Sequence, residues 1–158
     1  MIVKNIIDED FTNYKECSMF IGCPRCSFKC EKECNCKGMC QNTNLVKSPD
    51  IEIDDIVLVN RYINNPLSRA IVFGGLEPFD TWNELYHLII KFRRVTSDPI
   101  IIFTGFYESE ISDKLEHLKK LENIIIKFGR YIPNQEKHFD EVLGVYLASP
   151  NQRAEKIS

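Results

Sequence analysis

Apolar positions along this chain follow two rhythms. Runs rich in apolar residues at 17–22, 69–73, 99–104 and 123–128 predict short strands buried on both faces. Between them, apolar residues recur at helical spacing. Residues 53–63 follow the punctuation Ser48-Pro49-Asp50 and stop at Asn64-Asn65-Pro66. Residues 81–95 put Leu85, Leu88, Ile89 and Phe92 on one face, with Asp80 or Thr81 available as a cap. Residues 110–121 do the same with Ile111, Leu115, Leu118 and Leu121. The segment 1–15 is mixed. The stretch 23–44 is polar, rich in lysine and glutamate, and carries neither period. After Gly129 the pattern weakens into a polar loop over 133–140 and a short strand within 142–147.

Strands alternating with helices predict an α/β fold with a mostly parallel sheet and right-handed crossovers, in one domain over 1–158. Ligands in such sheets sit beyond the carboxyl ends of the strands. Each predicted strand ends at or near glycine, at Gly22, Gly74-Gly75, Gly105 and Gly129. The stretch 23–44 and the glycine turns are therefore expected on one rim.

Composition narrows the function. Twenty Lys and Arg against 23 Asp and Glu give a net charge of −3, which speaks against a nucleic-acid partner met by a dominant basic face. Apolar residues at 44% and charged residues at 27% suit an ordinary water-soluble domain. No apolar run has the length of a membrane span, and the first residues do not form a signal peptide, so the expected location is cytoplasmic, away from the membrane.

Cysteine changes the picture most. All seven, Cys17, Cys23, Cys26, Cys30, Cys34, Cys36 and Cys40, fall within 17–40. A disulfide framework spreads through a small secreted fold, whereas dense thiols in a reducing compartment more often hold a metal or an iron–sulfur cluster. Tetrahedral zinc takes two close pairs, such as Cys23/Cys26 and Cys36/Cys40, and an iron–sulfur cluster also takes thiolates; spacing alone does not separate them. The second candidate is Gly74-Gly75-Leu76-Glu77-Pro78 at the end of a strand, where glycine lets a ligand approach the backbone and Glu77 can meet an ammonium. Cys17 reads as a buried strand residue. His87, His117 and His138 pair with no cysteine at ligand spacing and read as surface or packing residues.

Together these residues resemble the radical S-adenosylmethionine (SAM) superfamily. Cys26-Ser-Phe-Lys-Cys30 resembles the start of its cluster loop, Cys40-Gln41-Asn42 its third cysteine with a trailing asparagine, and Gly74-Gly75-Leu76-Glu77-Pro78 its SAM-binding motif. The chain is more closely similar to the activating proteins of anaerobic ribonucleotide reductase. That similarity runs through 10–13, 18–22, Phe103-Thr104-Gly105-Phe106, Gly129-Arg130-Tyr131-Ile132 and Ser149-Pro150-Asn151-Gln152-Arg153. The spacing departs from the family's C-x3-C-x2-C, because Cys34 and Cys36 intervene between Cys30 and Cys40.

The resemblance implies a partial open (β/α) barrel with a cysteine-rich cluster loop over 23–44. It implies a 4Fe-4S cluster on Cys26, Cys30 and Cys40, with Cys23, Cys34 and Cys36 as rivals. It implies SAM at Gly74, Gly75, Glu77, Thr104 and Gly105, with Phe28 or Phe106 against adenine. The implied activity is reductive SAM cleavage to a 5′-deoxyadenosyl radical that installs a glycyl radical on an anaerobic ribonucleotide reductase large subunit or another glycyl radical enzyme. The implied electron donor is a protein such as a flavodoxin. Two rivals stand beside it: a radical SAM enzyme with a different peptide or small-molecule substrate, and a non-enzymatic zinc-binding module.

Overall fold

The computed structural model describes residues 1–158. In chain order its elements are β1 (Ile2–Val3), β2 (Asn5–Asp10), β3 (Ser18–Cys23), α1 (Lys29–Cys34), α2 (Thr43–Lys47), β4 (Ile51–Glu52), α3 (Asp55–Ile63), β5 (Ala70–Gly75), α4 (Trp82–Arg93), β6 (Ile100–Phe103), α5 (Ser112–Leu118), β7 (Ile124–Phe128), β8 (His138–Asp140), β9 (Val145–Leu147) and β10 (Arg153–Lys156).

Six strands form an open sheet in the order β10-β7-β6-β5-β3-β2. The four central strands, β3, β5, β6 and β7, are parallel. Both edges are antiparallel: β2 runs against β3 with a bulge between Ile7 and Asp10, and β10 runs against β7. The sheet does not close into a barrel. The antiparallel edges arise where the sequence pattern was weakest, in the mixed segment 1–15 and in the last residues. Two small sheets, β1 with β4 and β8 with β9, complete the molecule.

Alternation along the central strands divides the core. Met19, Ile21, Ile71, Phe73, Ile100, Ile102, Ile124, Ile126 and Phe128 face the helices and pack against Leu58, Val59 and Tyr62 of α3, Leu85, Leu88, Ile89 and Phe92 of α4, and Leu115 and Leu118 of α5. The opposite face carries a thinner layer: Tyr14, Phe20, Ala70, Val72, Ile101 and Ile125, roofed by Leu143 and Leu147. This second face leads to the site.

Helix ends shift for local reasons. The Asp54 carboxylate accepts from the Ile56 amide, so α3 begins two residues after the predicted start. Neither expected cap of α4 acts: Thr81 makes no cap bond, and the Asp80 carboxylate instead accepts from the Ser27 amide. A 3-10 turn at Glu108–Glu110 precedes α5, which covers Ser112–Leu118 of the predicted 110–121. The stretch 23–44 is not structureless, since α1 lies within it and α2 begins at its end. Neither has a buried residue, which is why no apolar period announces them. Cys17 lies just before β3 and is only half-buried. His138 lies on β8 rather than in a loop, and the buried Gln152 belongs to an ordered carboxyl-terminal segment. No helix is long and apolar enough to cross a membrane.

Candidate functional site

The carboxyl ends of β3, β5, β6 and β7 reach one rim, at Cys23, Gly75, Phe103 and Phe128. A cavity of about 510 Å³ opens there, within the range of roughly 300–1,000 Å³ usual for small-molecule sites. Cys26, Cys30 and Cys40 all line it, together with Gly75, Glu77, Thr104 and Gly105.

Short links between loops build this rim. The Glu77 amide donates to the Arg25 carbonyl at 2.8 Å, and Asn42 Nδ2 donates to the Gly75 carbonyl. The cluster loop is thus tied to the glycine turn at both its beginning and its end. Within the loop, the Glu31 carboxylate accepts from the amides of Gly38 and Cys40, at 3.0 and 3.2 Å. Gly75 has φ +76°, which favours glycine, and a Cβ there would also push on the Leu45 side chain of α2. Gly74 is set back behind the wall, where a Cβ would press on Phe20 and Phe103.

Glu77 is buried and holds three donors: Thr104 Oγ1 at 2.7 Å, the Gly105 amide at 2.8 Å and the Phe79 amide at 3.1 Å. Burial raises its carboxyl to about 7 in spite of those donors. Instead of standing free to meet an ammonium, Glu77 braces the glycine turn against the Thr104-Gly105 turn. Thr104 Oγ1 also accepts from the Phe106 amide at 2.9 Å, which fixes that turn.

Around the sulfurs the structure is specific. Cys26 Sγ accepts from the Phe28 amide at 3.3 Å, and Cys30 Sγ from the Tyr131 amide at 3.4 Å. Such bonds favour a charged sulfur. Burial pushes the Cys26 thiol up to about 12 and the Cys40 thiol upward, so binding a cation there must displace protons. A Cβ on Gly105 would lie 2.9 Å from Cys30 Sγ, so Gly105 leaves the room beside that sulfur. Ser27 Oγ, between Cys26 and Cys30 in sequence, is buried with no partner. Soft thiol donors on one cavity and the room that Gly105 leaves beside Cys30 fit an iron–sulfur group.

The other cysteines stand apart. Cys23 is fully buried in the helix-side core. Cys34 and Cys36 are bonded to each other as a disulfide, across Asn35, whose left-handed φ of 52° turns the chain at the end of α1. This one pair departs from the all-thiol expectation, and neither partner lines the cavity. The zinc pairs Cys23/Cys26 and Cys36/Cys40 are not assembled. No three His, Cys, Asp or Glu side chains converge closely enough to hold a single metal ion.

Two expectations about aromatic residues change. Phe106 is buried in the core beneath Lys29, and neither it nor Phe28 lines the cavity; Phe20, Phe103, Tyr131 and Tyr146 do. Sequence reading also passed over Lys127. It falls on the cavity face of β7 beside Ile125, is buried, and makes one bond, from Nζ to the Gly129 carbonyl at 3.3 Å. Burial lowers its ammonium to about 8, while Cys30 and Glu77 act in the opposite sense. A lysine interrupting Ile124-Ile125-Ile126 before Phe128 was the available signal. Gln152, also on the cavity wall, ties the carboxyl-terminal segment to Gly129.

No curated protein and no solved structure matches the chain. The family model described as a 4Fe-4S single cluster domain matches residues 15–153, which takes in every central strand, all seven cysteines and the whole rim. By that match this chain belongs to the 4Fe-4S single cluster domain family.

Proposed function

We propose that the protein is a radical SAM enzyme whose 4Fe-4S cluster is held by Cys26, Cys30 and Cys40. The observation that carries this reading is that these three thiols share one cavity with Gly75, Glu77, Thr104 and Gly105. Three thiols spread around a cavity suit the corners of a cluster better than one tetrahedral ion. Cys34 and Cys36, joined to each other, and Cys23, enclosed by the core, are left out of the ligand set.

When bound, the cluster held by Cys26, Cys30 and Cys40 would supply one electron to the SAM sulfonium, whose carbon–sulfur cleavage would give methionine and a 5′-deoxyadenosyl radical. The chain positions the reactants. Gly75 brings bare backbone to the cavity wall, Gly74 leaves room behind it for Phe20 and Phe103, and Glu77 holds Thr104 and Gly105 against this turn. Lys127 offers a buried ammonium with spare donors to a carboxylate at the floor. Phe20 and Phe103 supply apolar wall that would keep water from a radical.

The target we propose is a glycine of a glycyl radical enzyme, with an anaerobic ribonucleotide reductase large subunit first, in a cytoplasmic setting and with a flavodoxin-type electron donor. A sheet open along its edges leaves one side for a large protein to cover.

The test is anaerobic reconstitution, reduction with dithionite and addition of SAM. The expected products are 5′-deoxyadenosine and methionine in equal amounts, and a glycyl radical signal once the reductase subunit is added. Cleavage without the glycyl radical would redirect the proposal to another substrate. A colourless protein with stoichiometric zinc and no SAM cleavage would refute it. Lys127→Met is expected to weaken SAM binding by about 1.5–3 kcal/mol, the worth of a hydrogen bond to a charged group.

A further inference from the structure

α1 carries Cys30, yet none of its six residues is buried and no side chain caps its start. A helix this short gains no stability from length and here gains none from an apolar face. Something else must fix the Cys30 sulfur. The links are polar, and they converge on one side chain. Arg130, only 4% exposed, donates from Nε to Glu33 of α1 at 3.0 Å. Its Nη2 donates to both oxygens of Glu110 at 2.7 Å, and its Nη1 donates to the Gly105 carbonyl. The guanidinium lies over the Tyr107 ring, and the Tyr107 hydroxyl donates to the same Glu33. Glu110 also receives Lys29, the first residue of α1, at 3.0 Å. The carbonyl of Arg130 accepts from Asn151 Nδ2 at 2.9 Å, and the next amide, of Tyr131, donates to Cys30 Sγ. One arginine therefore touches the cluster helix, the turn after β6 and the carboxyl-terminal segment.

We propose that Arg130 is the positioning residue for Cys30: its fork to Glu33, Glu110 and the Gly105 carbonyl clamps α1 over the cavity in place of apolar packing. The inference rests on Cys30 being a cluster ligand. Arginine suits the task because its planar fork reaches several acceptors in fixed directions, which lysine cannot do. Partners one step beyond a metal's ligands commonly change metal retention by roughly 10–100-fold, and the clasp should act in that range.

Two variants test it from opposite sides. Arg130→Gln removes the fork. Glu33→Gln, on an exposed side chain, removes the helix end of the clasp and keeps the core intact should the first variant fail to fold. Glu108→Gln, which breaks only the surface pair with Arg153, is the control. In the cluster-loaded protein both test variants should release iron to a chelator at least about tenfold faster than wild type. In Glu33→Gln the paramagnetic resonance signal of the reduced cluster should alter at an unchanged melting temperature, which a merely structural role would not produce. In the metal-free protein, amides of 29–36 should exchange faster in both variants, and the control should match wild type throughout. Wild-type iron release, spectrum and exchange in both variants, or changes that only follow a lowered melting temperature, would overturn the clasp. If wild-type protein takes up no cluster, the functional reading fails, and the exchange of α1 still decides for or against the clasp.

Discussion

At the scale of single residues, the site divides the cysteines into those that reach the cavity and those that do not. Cys26→Ser, Cys30→Ser and Cys40→Ser are each expected to abolish or nearly abolish iron and sulfide uptake on anaerobic reconstitution. The double variant Cys34→Ser/Cys36→Ser should load as wild type does. Loss of the cluster in the double variant would return those two thiols to the ligand set. The motif residues were legible in the sequence, and the resemblance already implied Cys26, Cys30 and Cys40; spacing alone left Cys23, Cys34 and Cys36 as rivals, because which thiols face the cavity depends on how the loop folds around α1. Lys127 was hidden, and Arg130 showed only as part of the motif Gly129-Arg130-Tyr131-Ile132, with no role attached. A lysine within an isoleucine run and an arginine after a glycine look like surface charges until the sheet places them under a cavity and over α1.

Glu77 makes a prediction about pH. Its carboxyl is raised to about 7 in the folded chain and titrates near 4.5 when unfolded. The folded state therefore binds its proton more tightly. The stability this gives is complete below about 4.5 and is lost as pH rises through 7. Urea midpoints of the metal-free protein should fall over that window relative to Glu77→Gln. The variant, lacking an acceptor for the Gly105 amide, should be less stable overall but should show a flatter profile. Parallel profiles would mean that folding does not raise the Glu77 carboxyl.

At the scale of elements, what could be read was what the core demands. β3, β5, β6 and β7 were recoverable because strands buried on both faces are continuously apolar, and α3, α4 and α5 because each turns one apolar face to the sheet. Elements with little share in that core were invisible: β2, which adds only Ile6 to the helix side; β10, which adds only Ala154 to the other face; and α1, held by charges. The last group includes the element that carries Cys30, so the fold was far more legible than the site. The glycine turns carry their own test. Gly105 has an ordinary backbone, so Gly105→Ala should fold, yet its methyl group would crowd Cys30 Sγ. The expected result is near-normal thermal stability with iron occupancy at least halved. Gly75→Ala meets Leu45 and an unfavourable φ together, and should cost about 1–2 kcal/mol of unfolding free energy in denaturant titration.

At the scale of the molecule, helices thicken one face of the sheet and leave the other with a thin apolar layer and a cavity. Two loops and the β8–β9 hairpin, none of them part of the main sheet, complete the cavity wall. A site assembled from loops over a rigid parallel sheet can hold a group larger than any one loop could enclose. The central claim is that this group is a cluster with three protein thiolates and one iron left for SAM. It is tested most directly by electron paramagnetic resonance of the reconstituted, dithionite-reduced protein before and after SAM is added. The account predicts a 4Fe-4S signal whose g-values and line shape change on adding SAM, in the wild type and in Cys34→Ser/Cys36→Ser alike. A 4Fe-4S signal that ignores SAM, or no iron signal at all, would contradict it.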